Sequence, residues 1–199
     1  LLKAATVLGG YDARAYAERS IWVRARDGES IPVSLVYKKG APLESMPMFI
    51  TGYGAYEIST DPAFSVARVS MLDRGVLYAV PHVRGGGEMG RAWYETGRRL
   101  NKKHTFEDFV DATAALQDCG LADPARTVAN GGSAGGLLMG AVANLAPERY
   151  AGIEADVPFV DALTTMLDPS LPLTVTEWDE WGDPLHDVEA YQYMRGYSP

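Results

Sequence analysis

Apolar residues gather early in two β-rich runs, residues 20–26 and 30–37, which flank Asp27-Gly28. A glycine after an acid supplies the positive φ of a tight turn, so these runs predict an antiparallel hairpin. Residues 1–18 lack a clean period and carry Gly9-Gly10, which predicts a linker entering a domain that occupies 19–199. Beyond the hairpin, short apolar runs alternate with stretches of helical period. Residues 47–51, 76–83, 126–129 and 151–157 predict strands, and 106–119, 134–144, 160–167 and 187–195 predict helices. Thr105 and Asp108 predict the cap of the first of these helices, and Gly120 its end. A hairpin feeding alternating strands and helices predicts an α/β class with a mostly parallel sheet and helices on both faces.

Between the strand at 126–129 and the helix at 134–144 lies Asn130-Gly131-Gly132-Ser133-Ala134-Gly135-Gly136, which contains G-x-S-x-G. A serine hydroxyl is a poor nucleophile until a base takes its proton. It must therefore stand clear of the sheet, with room for an imidazole and an incoming carbonyl. A sharp strand-to-helix turn lifts it there, flanking glycines permit the strain, and the sheet becomes that of an α/β-hydrolase fold. Ser133 is the candidate nucleophile. The first amide of the helix, on Ala134, has no carbonyl behind it and is the candidate oxyanion donor. As plain packing the string is a glycine-rich helix entry; its place between strand and helix favours chemistry.

In this fold the acid and the base each follow a later strand. Only His186 follows Ser133, without a strand of the required kind before it, and His82 and His104 precede it. His186 reads as a solvent-facing loop residue, His82 as strand or loop structure, and His104 as a flank of the helix cap. The acid and base are expected beyond Pro199, leaving the fold incomplete at its C-terminal end and its last strand edge open to association.

A second glycine loop, Gly85-Gly86-Gly87-Glu88-Met89-Gly90, satisfies G-x-G-x-x-G after a strand. Glu107 and Asp108 stand about 20 residues on, where a ribose-binding acid would be wanted. A dinucleotide-binding oxidoreductase module is thus one alternative, and an esterase on the same fold another. Against the first, three strands precede the one that leads into the loop, and bulky Trp93 and Tyr94 follow it. The loop is expected instead at the carboxyl edge of the sheet, beside the nucleophile.

Composition narrows the partners. Acidic residues outnumber basic ones 26 to 18, for a net charge of −8, the wrong sign for nucleic acid. Cationic substrates fit better. The single Cys119 cannot make an internal disulfide, and no Cys/His spacing resembles a zinc site. No apolar run approaches the roughly 18 to 20 residues of a membrane span. No structural zinc, internal disulfide or membrane span is expected. Glu177-Trp178-Asp179-Glu180-Trp181 interleaves three carboxylates with two indoles. Such a cluster either holds a guanidinium or ammonium or forms a solvated acidic face.

Several blocks in order resemble the prolyl oligopeptidase family of serine peptidases, and within it the oligopeptidase B branch. They include Ala25-Arg26-Asp27-Gly28, Gly52-Tyr53-Gly54, His82-Val83-Arg84-Gly85-Gly86-Gly87-Glu88, Gly131 to Gly136 and Val157-Pro158-Phe159. The resemblance implies a catalytic domain that, in whole members, is capped by a β-propeller admitting only short peptides. It implies a cytoplasmic enzyme cleaving short basic peptides after Arg or Lys, with no cofactor. It makes Ser133 the acylating nucleophile, Ala134 one oxyanion donor and the Tyr53 phenol the other; by itself Tyr53 reads as a core aromatic. Glu177 and Asp179 stand where this branch recognises the basic residue before the scissile bond. The usual second residue is glutamate, one methylene longer than Asp179. Asp61 matches one of two aspartates of the next basic subsite, and Ala63 replaces the other, so preference there is expected to be weaker.

Without its base, the isolated chain should hydrolyse an arginyl chromogenic ester only at the residual rate of an oxyanion hole. Efficient turnover by residues 1–199 alone would place the base among them.

Overall fold

In the computed structural model, which describes residues 6–61 and 63–199, the Asp27-Gly28 turn forms as expected. Gly28 has φ 93°, and its amide donates to the Ala25 carbonyl at 2.9 Å. The turn joins antiparallel β1 (Tyr16–Arg24) and β2 (Ser30–Lys38). β2 alternates, burying Ile31, Val33 and Leu35. β1 starts inside the segment expected to be linker, because pairing runs on to Tyr16 opposite Lys38. The rest of that segment is partly described; residues 1–5 lie outside the described residues.

The chain continues through β3 (Met46–Thr51), α1 (Val66–Asp73), β4 (Leu77–Pro81), α2 (Arg91–Glu95) and α3 (Lys103–Asp118). Then follow β5 (Ala122–Gly132), α4 (Ala134–Leu145), β6 (Gly152–Asp156), α5 (Ala162–Leu167), α6 (Thr174–Trp181) and α7 (Val188–Arg195). The sheet order is β1-β2-β4-β3-β5-β6, with β4, β3, β5 and β6 mutually parallel. From β3 the chain steps to β4 on one side and then returns past β3 to β5 on the other. Such a reversal opens a crevice at the carboxyl ends of the strands, where α/β sheets bind ligands. Met48, Ile50, Leu77 and Ala129 form the core with Phe109 and Leu138 from α3 and α4. α1 covers the opposite face, where the Arg68 guanidinium lies 4.3 Å over the Tyr78 ring. Among the described residues no helix is long and apolar enough to cross a membrane.

Two further expectations need correction. β5 is far longer than the short strand at 126–129, because a register shift opposite Met46 and Met48 absorbs the segment around Pro124. α3 starts at Lys103, so Thr105 lies within it and caps nothing. Its hydroxyl instead donates to the carbonyls of Arg84 at 2.7 Å and Gly97 at 3.1 Å. Asp108, fully buried, accepts from the Arg84 amide at 3.0 Å and from its guanidinium at 2.9 and 2.6 Å. Arg84 also reaches Asp27 at 2.6 Å, so one guanidinium ties the hairpin turn to α3.

Removing one partner of a buried pair strands the other's charge. Asp108→Asn should therefore lower stability by about 3 kcal/mol in urea unfolding. A loss under ~1 kcal/mol, the scale of an exposed pair, would show that the burial of the pair carries little.

Candidate active site

β5 runs directly into α4, and Ser133 is the hinge between them. Its φ of 55° and ψ of −115° lie in a region that L residues rarely occupy, a strain characteristic of functional turns. Backbone hydrogen bonds on both sides hold it. The Ser133 amide donates to Asp156 O at 2.9 Å, and its carbonyl accepts from Gly136 N at 2.9 Å and Phe159 N at 3.0 Å. The side chain is left exposed. The positive φ falls on the serine itself, and the flanking glycines permit the turn through their lack of a side chain. They allow close approach: a Cβ on Gly131 would lie 2.3 Å from Gly135 O, and one on Gly135 2.6 Å from Gly52 O.

That last contact seats the Gly52-Tyr53-Gly54 turn on the start of α4. Ala134 is buried and begins the helix, so its amide is free of intrahelical partners. Tyr53 is half-buried beside Ser133. Burial pushes its phenol above the ordinary value, the Ser133 side chain acts the other way, and the charges of Glu180 and Glu177 push it further up. The phenol stays protonated, as a donor to an oxyanion must.

Ser133 and Ala134 line a cleft of about 240 Å³ with Tyr56, Phe159, Glu177 and Trp181. The walls are aromatic: Trp181 lies 5.3 Å from Phe159 and 5.6 Å from Tyr56, centroid to centroid. One oxygen of Glu177 accepts from the Trp181 indole at 3.1 Å and from the Tyr56 hydroxyl. Burial, then the bond to Glu177, raises the Tyr56 phenol far above its ordinary value. The arrangement offers a nucleophile, an oxyanion site and an apolar slot with a carboxylate on its wall. A long cationic side chain can lay its stem along the rings and its head against the acid.

The structure brings Ser133, Tyr53, Ala134 and Glu177 together and leaves two expected residues outside. Positions two apart on a helix diverge, so Asp179 faces away from Glu177. It pairs with Arg98 at 3.2 Å and with Arg99, and lines a separate groove with Trp178 and Asp183. Desolvation works to raise its carboxyl, but the charges and hydrogen bonds of Arg99 and Arg98 together outweigh it and hold the group below the usual range. Asp61 is exposed and does not line the cleft. Glu180 went unrecognised as a site residue of its own. It is 3% exposed and accepts from the Tyr56 amide at 3.1 Å and the Tyr94 hydroxyl at 2.5 Å. Burial and that bond push the Tyr94 phenol up to about 12. The spacing Glu177, Glu180, Trp181, i, i+3 and i+4 on a helix, was the available signal.

Each imidazole is engaged elsewhere. His186 bonds Asp183 at 2.8 Å on the surface, His82 bonds Ser34 at 2.8 Å and Glu88 at 3.2 Å, and His104 bonds Thr96 O at 2.9 Å. The glycine-rich loop after β4 packs on the Tyr53 turn, where a Cβ on Gly85 would lie 2.2 Å from Gly54 O. Its glycines are spent on packing against the protein itself: Cβ atoms on Gly86 and Gly87 would meet Glu88 Oε2 and Glu57 O at 2.3 Å. The helix that follows has five residues, and Asp108 is consumed by Arg84. The dinucleotide alternative is overturned.

A strained serine between strand and helix, with a free helix amide behind it, defines a serine hydrolase site on an α/β sheet. The family model described as "Prolyl oligopeptidase family" matches residues 62–199, and the chain belongs to that family of serine peptidases. It is 54% identical over 192 residues to dipeptidyl aminopeptidase BI of Pseudoxanthomonas mexicana, covering 96% of this chain and 26% of that protein. It is 47% identical over 200 residues to Protease 2 of Moraxella lacunata, covering 100% of this chain and 29% of that protein. Oligopeptidase B from Leishmania major superposes with a TM-score of 0.93 at 46% identity, over 96% of this chain and 27% of that one. The chain therefore spans little more than a quarter of the relatives it matches.

Gly135→Ala should break the seat of the Tyr53 turn, where a Cβ would meet Gly52 O. In the whole enzyme this should lower kcat/KM by at least ~100-fold, the loss associated with a misplaced oxyanion donor, while the fold survives by circular dichroism. Unchanged activity would contradict the close-approach account.

Proposed function

We propose that the whole enzyme hydrolyses peptide bonds after Arg or Lys in short peptides, with Ser133 as nucleophile. A histidine base and its acid, supplied by sequence beyond Pro199, would complete the triad. The base takes the Ser133 proton as Oγ attacks the scissile carbonyl, and the Ala134 amide and Tyr53 phenol receive the oxyanion. The protonated base then gives that proton to the leaving amine, and water releases the acyl group by the reverse sequence. Residues 19–199 would form the first part of the peptidase domain, and the resemblance extends the reading to a cytoplasmic enzyme without metal or organic cofactor. The observation that carries it is the exposed, strained Ser133 at the mouth of a cleft walled by Glu177 and Trp181.

Glu177 is the acid assigned to the basic side chain. Asp179 and Asp61 would contribute less, Asp179 because two arginines already neutralise it. An esterase would share Ser133 and have no use for Glu177. A second reading, release of dipeptides from a free amino terminus, is favoured by the 54% identity to a dipeptidyl aminopeptidase. N-terminally blocked arginyl amides separate the two, since an aminopeptidase refuses them.

In the whole enzyme Ser133→Ala should abolish cleavage, and retained activity would remove the assigned nucleophile. Tyr53→Phe should cost about 100- to 1,000-fold in kcat, the loss of one oxyanion donor. Glu177→Gln should lower kcat/KM about 30-fold on arginyl amides, near 2 kcal/mol, and leave neutral substrates alone. Asp179→Asn should change it less than ~3-fold. Equal losses at both acids would return Asp179 to the cleft.

A further inference from the structure

Lys102 is a buried cation that neither the acylation chemistry nor the Asp27 and Asp108 pairing of Arg84 uses. It precedes α3 and is 1% exposed. Its Nζ donates to the Gly54 carbonyl and lies 5.1 Å from the centroid of the Trp181 ring. The carboxylate whose charge it feels is Glu180 on α6, already taken by the Tyr56 amide and the Tyr94 hydroxyl. An ammonium is strongly hydrated, and stripping its water is costly even opposite an acid. A methionine would fill the space without that cost, so packing does not call for the charge.

The ammonium sits where two parts of the site must keep register. Gly54 follows Tyr53, the phenol assigned to the oxyanion. Trp181 donates to Glu177, the acid assigned to the substrate's cation. We propose that Lys102 is a positioning residue of the acylation site, its ammonium holding the Tyr53 turn by the Gly54 carbonyl and the specificity helix by the Trp181 ring. The proposal rests on the roles assigned above to Ser133 and Tyr53.

A consequence is a pH limit set by neither the nucleophile nor its base. Burial pulls the Lys102 amine down to about 8, with Glu180 acting the other way. The phenols around Glu180, those of Tyr53 and Tyr56 on the turn, Tyr94 on α2 and Tyr197 after α7, are all raised by burial and stay protonated there. The charged grip is therefore present below about pH 8 and lost above it. A neutral amine keeps only a weaker hydrogen bond and has no cation–π attraction.

The test measures kcat and KM on an arginyl amide from pH 6 to 10 in the whole enzyme and its Lys102→Met and Lys102→Arg variants, with thermal midpoints alongside. Wild-type kcat should fall through one ionisation near pH 8. Lys102→Met should lose at least tenfold in kcat at pH 7 and lack that ionisation, whereas Lys102→Arg, which keeps its charge, should hold its activity to pH 10. Wild-type kcat in Lys102→Met, or the same alkaline limb in both, would overturn the proposal. Should neither variant fold, fluorophosphonate labelling of the wild-type enzyme decides: a rate falling above pH 8 supports the proposal, and one flat to pH 9.5 overturns it. Full activity in Ser133→Ala would instead sink the reading of the site, separately from Lys102.

Discussion

The site depends on backbone approaching backbone more closely than any side chain permits. Gly131 meets Gly135 within one strand-to-helix turn, and Gly135 meets Gly52 across to the neighbouring loop. Those two contacts fix Ser133 at positive φ and bring the Tyr53 turn onto the first residues of α4. The strain is stored in one residue, and the amides of Gly136 and Phe159 and the carbonyl of Asp156 keep it there. The sheet supplies the rest: reversal of strand order at β3 places the turns after β3 and β5 side by side at the carboxyl edge.

Around that corner, charge is sorted by depth. Glu177 reaches the cleft with one oxygen held by Tyr56 and Trp181. Glu180, one turn on, is buried and binds the protein itself, while Asp179 between them turns outward to two arginines. Three acids within four residues thus have three environments, because a helix gives neighbouring positions different directions. Arg84 does for the frame what Glu180 does for the cleft, joining the hairpin turn and α3 through one buried cation.

Much of this was legible in the sequence where local rules act alone. The Asp27-Gly28 turn, the parallel strands and the serine corner follow from turn chemistry and period. α6 escaped because it starts after Leu173 in a left-handed conformation with no side-chain cap, and its acids and indoles hide an apolar face. Thr105 was misread because a hydroxyl before a helix pattern resembles a cap, whereas here the helix begins earlier and the hydroxyl serves a distant loop crossing. The buried role of Glu180, and Lys102 altogether, went unseen for a related reason. Both are charged residues in polar stretches, and only the tertiary fold buries them. The family resemblance supplied the role proposed for Tyr53, which the local pattern leaves as a packing aromatic.

The central claim is that Ser133 carries the acyl group. Mass spectrometry of the whole enzyme after reaction with a fluorophosphonate reads this directly. The account predicts one stoichiometric adduct on the peptide containing Ser133, formed in step with loss of peptidase activity. Inactivation with the adduct on another residue, or full activity with Ser133 labelled, would contradict it.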